Sequence, residues 1–282
     1  MRVPGGEGLE NRTAQRIVCI KDALVVYLIY LLFPAACLAV FQFCFGPPAR
    51  LMELWSDAIT VVGFAFAILL LIRIAHKQDI SVREAIHFRW GRGVIPNQEI
   101  GILILTGVLM NLFFSAALSF LPQWMLGAYT QSTQNVLGQD TSVLSILSLA
   151  LAAPITEEII FRGFLMRGLE REFSVETSVL AVSLLFGVTH LYPVWVAYAA
   201  ICGIALCWFA QKWDNLLASI IVHIAFNTAS LPQLILPKDT RLYQALYENK
   251  AIIFLYLILS AGALYLLYRL FYSKKGEQPD EE

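Results

Sequence analysis

Apolar residues in this chain are gathered into blocks about twenty residues long, roughly the length at which a helix crosses hydrocarbon. Lipid offers no hydrogen bonds to the backbone, so blocks of this length read as helices that satisfy their own amides and carbonyls. Composition agrees: 58% of the 282 residues are hydrophobic and 15% charged, against about half and a quarter in a soluble domain. The fold class predicted is an all-α, polytopic membrane protein of about eight spans. A net charge of -1, with no basic surface, argues against nucleic acid as a partner.

The blocks place spans at about 23–45, 58–74, 100–121, 142–172, 175–191, 195–210, from Asn215 to before Pro232, and 251–272. Pro34 is expected to kink the first, and Gly46-Pro47-Pro48 ends it. Asp214 is the expected N-cap of the seventh. Residues 1–22 read as a poorly ordered cytoplasmic tail, 23–272 as one membrane domain, and 273–282 as a charged C-terminal tail. Ser81-Val82-Arg83-Glu84 is a capping box, and Gly91 and Gly93 supply a stop. Between them Ile86, Phe88 and Trp90 against Arg83, Arg89 and Arg92 suggest an amphipathic helix on the membrane surface, with His87 an interfacial histidine. Residues 123–141 form a polar loop without Lys or Arg, and 239–248 a short amphipathic piece. Cys19, Cys37, Cys44, Cys202 and Cys207 contain no CxxC pair and read as reduced thiols.

With this division, sixteen Lys and Arg fall on the side of the two termini and four on the other. The positive-inside rule then puts both termini in the cytoplasm of a multi-pass protein of the cell (inner) membrane.

Into the fourth block the sequence sets Ala153-Pro-Ile-Thr-Glu-Glu-Ile-Ile-Phe-Arg-Gly163. Charges at bilayer depth cost several kcal/mol, at about 2.5–3.5 each even on the gentler scales, and mark function by default. Glu158 and Arg162 are four apart in the favourable order for an ion pair. Glu157 points about 100° away and is expected to be left for chemistry. The fourth and fifth helices turn near Ser174, and equal distances along them bring Glu157 and His190 to one level, roughly 25 Å from the turn. His223, on the seventh helix, is predicted at a similar depth. Phe186 shares a helix face with His190, and His223 with Asn227. Gly163 and Gly187 would let helices approach closely.

A carboxylate with neutral imidazoles can take a proton from water, and a histidine with an amide side chain can stabilise an oxyanion. Those parts suffice for peptide hydrolysis. Alternatively Glu157, His190 and His223 could ligate a catalytic zinc. Taken singly, each residue has a plainer reading. His190 and His223 could be packing hydrogen bonders, Asn227 interhelical glue, Phe186 packing, Arg167 and Arg171 cytoplasmic anchors, and His76 a boundary residue. Two other functions compete: a non-enzymatic scaffold or bacteriocin-immunity factor, and a proton-coupled transporter. The absence of an internal repeat weighs against the transporter.

Glu157-Glu158-xxx-Arg162, Phe186-xxx-His190 and His223-xxx-Asn227, in that order within about 144–231, resemble the CPBP family of intramembrane proteases, the family of the type II CAAX prenyl endopeptidase and of the Abi proteins. The resemblance implies an eight-helix fold with a cavity open to cytoplasm and lipid. It implies that Glu157 activates water with help from His190, that His223 and Asn227 stabilise the oxyanion, and that Arg162 orients the carboxylates Glu157 and Glu158. The favoured mechanism needs no cofactor, with zinc as the alternative. The partner it implies is a membrane-associated substrate, a lipidated peptide or one bearing a C-terminal signal. Eukaryotic members cut after a prenylated cysteine, whereas bacterial ones are linked to bacteriocin self-protection, peptide maturation and removal of sorting tails.

Overall fold

The computed structural model describes residues 6–46, 49–77, 95–127 and 143–273, together with Ser81, Arg83, Ile86 and Phe88. Eight long helices carry the chain: α1 (Gly6–Phe45), α2 (Ala49–Lys77), α3 (Asn97–Leu118), α4 (Val143–Leu169), α5 (Val175–Val188), α6 (Pro193–Lys212), α7 (Leu216–Ile235) and α8 (Lys250–Ser273). No strand occurs among the described residues. Six of the helices, all but α2 and α5, are long and apolar enough among the described residues to cross a membrane. Large apolar side chains are exposed along them, such as Leu28 and Leu32 on α1, Leu151 on α4, and Leu255 and Leu259 on α8. Exposed apolar surface repeated on helix after helix marks contact with lipid. The chain is an all-α, multi-pass membrane protein.

Several boundaries differ from the sequence reading. The tail is helical from Gly6 onward, continuous with the first span. An apolar helix supplies the costly nucleus, and Glu7, Leu9, Glu10 and Gln15 are good formers onto which it propagates. Residues 1–5 and 274–282 lie outside the described residues. So do His87, Glu84, Arg89, Trp90, Gly91, Arg92 and Gly93 of the expected surface helix, and 128–141 of the polar loop. Pro34 sits inside α1, and Gly63 of α2 faces its ring; a Cβ at 63 would stand 2.6 Å from Pro34 Cγ. α7 continues through Pro232 to Ile235, because a proline is tolerated in a membrane helix whose freed carbonyl finds other partners.

The cap of α7 also moved. Asp214 has φ 42°, the left-handed region, and its side chain lies 3.6 Å from Arg167. The next residue caps instead, Asn215 Oδ1 accepting from the Leu217 N–H at 3.1 Å. Arg167 donates to Glu170 at 3.0 Å and to the Ala210 carbonyl at 3.4 Å. It therefore ties the end of α4 to the α6–α7 turn rather than reaching for headgroups. Ser174 caps α5 by accepting from the Thr177 N–H, and His76 is exposed in the last turn of α2. Cys37, Cys44, Cys202 and Cys207 are free thiols, the last two buried.

The described residues gather into two compact units. One holds the described parts of 1–91 and 142–219, and thus α1, α2, α4, α5, α6 and the start of α7. The other holds those of 92–141 and 220–282, and thus α3, most of α7 and α8. In the first, α5 and α6 lie against each other through Gly187, where a Cβ would stand 2.6 Å from the Val196 carbonyl oxygen. This is the close approach the glycine was expected to allow. Gly163 serves a different neighbour: the buried Ile86 lies on it, with Cβ atoms that would be 2.8 Å apart. Ile86 thus packs on protein, not lipid. In the second unit Gly107 of α3 lies on α7, where a Cβ would come within 2.7 Å of Ala225 Cβ. A lysine locks the other end of that unit, Lys250 Nζ donating to the Ser119 carbonyl at 2.6 Å and standing 5.3 Å from the Phe120 ring centroid.

Candidate functional site

The carboxylates sit on a helix that changes its winding on both sides of them. Residues Ser148–Ala152 and Ile159–Met166 are π-helical, and Ala153–Glu158 between them is α-helical. The first widening has a local cause. Pro154 has no N–H to give residue 150, and its ring crowds that carbonyl, which an extra residue in the turn relieves. Such insertions recur at functional sites.

Glu158 and Arg162 form the ion pair their spacing predicted, with Nη1 and Oε1 2.8 Å apart and both side chains fully buried. Burying such a pair is costly, and the contacts around it offset only part of that cost, since Arg162 Nε is buried without a hydrogen bond. Arg162 Nη2 donates to the Gly203 carbonyl at 3.3 Å, and the guanidinium lies 4.3 Å from the Phe186 ring centroid. Gly203 leaves the space: a Cβ there would be 3.3 Å from Arg162 Nη2 and 3.1 Å from Ser183 Cβ. Phe186 is therefore the floor under a charge as well as packing. Arg162, counted among the sixteen Lys and Arg on the side of the termini, is fully buried within α4, and leaving it out makes the count fifteen against four. The bias survives.

Glu157 is half-buried and is not left alone, contrary to expectation. The Tyr30 hydroxyl of α1 donates to its Oε1 at 2.8 Å. Tyr30 stacks on Phe64, centroids 5.7 Å apart at 16°, and meets Phe161 edge-on at 5.9 Å and 89°. No sequence spacing could point to it, since the partners are 127 residues apart. The available signal was a phenol some 9 Å inside an apolar span, where tyrosine hydroxyls need a partner.

His190 lies just past the C-terminal end of α5, in the turn before α6. Its ring keeps the expected face, meeting Phe186 edge-on at 5.0 Å and lying 5.2 Å from the Trp195 ring. Its Nδ1 is 3.0 Å from the Phe186 carbonyl oxygen. A carbonyl only accepts, so a hydrogen bond there needs the proton on Nδ1, and in the neutral ring of that tautomer the lone pair sits on Nε2. The next residue, Leu191, has φ 66°, unusual for a side chain of that bulk, and points outward.

These five candidates, Glu157, Glu158, Arg162, Phe186 and His190, belong to the first unit. His223, buried, and Asn227, half-buried, lie one turn apart on α7 in the second. Gly107 brings the α3 backbone against that turn, and Phe114 meets Phe226 edge-on at 6.3 Å. A catalytic zinc needs three protein ligands. Among the described residues no group of three His, Cys, Asp or Glu side chains is placed to hold a metal.

Helices with apolar flanks around a fully buried carboxylate–guanidinium pair define a multi-pass membrane protein with an ionised interior. The segment that carries that interior is similar to a known family. Residues 139–229 match the model of the type II CAAX prenyl endopeptidase Rce1-like family. The match covers about a third of the chain and includes every candidate residue from Glu157 to Asn227. It bears out the likeness to the CPBP family. No curated protein and no solved structure matches the chain.

Proposed function

We propose that the protein is an intramembrane endopeptidase in which Glu157 activates water. The observation that carries this reading is the contrast between the adjacent carboxylates within the family-matched segment. Glu158 is locked and fully buried on Arg162, while Glu157 is half-buried and turned the other way. One carboxylate is spent on structure and the other is placed for proton transfer.

In the reaction proposed, Glu157 takes a proton from water, with the His190 Nε2 lone pair assisting, and the water oxygen attacks the peptide carbonyl carbon. By the family resemblance, His223 and Asn227 donate hydrogen bonds to the oxyanion that forms. Glu157 then returns its proton to the leaving nitrogen as the C–N bond breaks, releasing an amine and a carboxylic acid. The pair Glu158–Arg162 fixes the helix turn from which Glu157 projects. No metal enters these steps. The substrate would be a membrane-associated peptide, with a prenylated C-terminus the class named in the family's description. We place the protein in the cell (inner) membrane with both termini cytoplasmic, from the Lys and Arg bias, and count eight spans by adding α2 and α5 to the six helices that are long and apolar enough to cross.

The test compares the C-termini of membrane proteins in cells carrying wild type or Glu157→Gln at matched expression. Termini found only with wild type are expected. Identical termini in both would overturn the assignment.

A further inference from the structure

The catalytic reading accounts for Glu157, but nothing in it calls for the residue that holds Glu157. Tyr30 comes from α1, far from the family-matched segment in sequence. Its ring needs no hydroxyl, since phenylalanine would stack on Phe64 and Phe161 equally well. A hydroxyl buried in a span costs free energy unless it is hydrogen-bonded. This one is spent on one oxygen of the Glu157 carboxylate, at 2.8 Å.

The same ring is the first member of a continuous aromatic row. Tyr30 meets Phe161 at 5.9 Å, Phe161 meets Phe186 at 5.2 Å, and Phe186 meets His190 at 5.0 Å, each nearly perpendicular to the next. Phe161 is fully buried and Phe186 nearly so, and Phe186 also carries the Arg162 guanidinium. Tyr27 braces Phe161 from one turn earlier on α1, at 5.9 Å and 81°. The row thus ends in a hydroxyl on Glu157 at one end and in the His190 imidazole at the other. Interlocked rings have little freedom to slide in a close-packed interior.

We propose that Tyr30 is a positioning residue of the active site. Its hydroxyl fixes the direction in which the Glu157 carboxylate faces, and the aromatic row holds that carboxylate in register with His190. The inference rests on the protease reading of Glu157 given above. Proton transfer depends on the placement of the base, and a misplacement of about 1 Å can cost on the order of a hundredfold in rate.

The test uses the full chain in three forms: wild type, Glu157→Gln and Tyr30→Phe. Tyr30→Phe keeps the ring and removes only the hydroxyl. The substrate probe is a peptide copied from a cut site that appears in cells with wild type and not with Glu157→Gln. For Tyr30→Phe we expect kcat to fall about 10- to 100-fold with KM within about twofold. The melting temperature should stay near that of wild type, and the solvent deuterium isotope effect on kcat should rise as proton transfer becomes limiting. A merely structural tyrosine would move the melting temperature and leave the isotope effect alone. Tyr30→Phe with wild-type kcat, or with a loss confined to stability and KM, overturns the role of Tyr30 and leaves the protease reading standing. If no terminus depends on Glu157, the protease reading fails and the role of Tyr30 fails with it.

Discussion

Replacing Arg162 by leucine tests the interior on its own terms, without any substrate. The guanidinium lies 2.8 Å from Glu158, both side chains fully buried, with the Gly203 carbonyl and the Phe186 ring among its other partners. Removing one member of a buried pair leaves the other as an uncompensated charge, a loss of about 3–5 kcal/mol. Arg162→Leu should therefore lower the folding equilibrium constant by about two to four powers of ten. Glu158→Leu should do the same by stranding the guanidinium. The chain carrying both changes should fall within about 1–2 kcal/mol of wild type, because an apolar pair of similar volume needs no desolvation. The coupling between the two sites is then several kcal/mol, well above the few tenths expected of independent positions. The assay is equilibrium unfolding in mixed micelles, with denaturing detergent titrated and tryptophan fluorescence read. Single variants that cost less than about 1 kcal/mol, or a double variant equal to the sum of the singles, would refute the reasoning.

Two further outcomes follow from what has been described. Gly187→Ala forces a Cβ to 2.6 Å from a backbone oxygen of α6. It should destabilise by about 1–3 kcal/mol, whereas Gly101→Ala, with open space around it, should be neutral or stabilising by up to about 1 kcal/mol; thermal melts of the two variants compare them directly. Prolonged dialysis against EDTA, followed by assay of the cut-site peptide, should leave cleavage unchanged, and loss of cleavage restored by added zinc would favour a metal mechanism over the one proposed.

What could be read without a structure was whatever is local to one helix. The Glu158–Arg162 pair and the Phe186–His190 contact both follow from a four-residue spacing, and both are found. The π-helical turns around Pro154 and Gly163 escaped because every face was projected with a uniform 3.6-residue turn. Asp214 and Asn215 are equally good caps by residue type, and only the left-handed backbone at Asp214 decides between them. The contacts of Arg162 with Gly203 and Phe186 were not foreseen, because those residues lie on other helices. Tyr30 was invisible for the same reason: its meaning lies in a contact between helices that the order of residues does not encode. The six apolar helices needed only composition, while the helical start at Gly6 depended on propagation from a span into a polar segment.

One dimension of α5 bears on the membrane itself. Its 14 residues extend about 21 Å, against roughly 30 Å of hydrocarbon and the 20 residues of its neighbour α6. Taken as the proposed fifth span, its apolar flank of Leu180, Leu184 and Val188 would end about 9 Å too soon. A bilayer meets such a mismatch by thinning, at a cost of fractions of a kcal/mol for each ångström. Lipid beside this flank would be compressed, and the compression would favour residence in thinner membranes. A dimple of this kind also shortens the distance from headgroup to helix end, on the flank where His190 closes the helix. With α5 as a span, bilayer thickness, set by acyl-chain length, would become a variable on which this protein's behaviour depends.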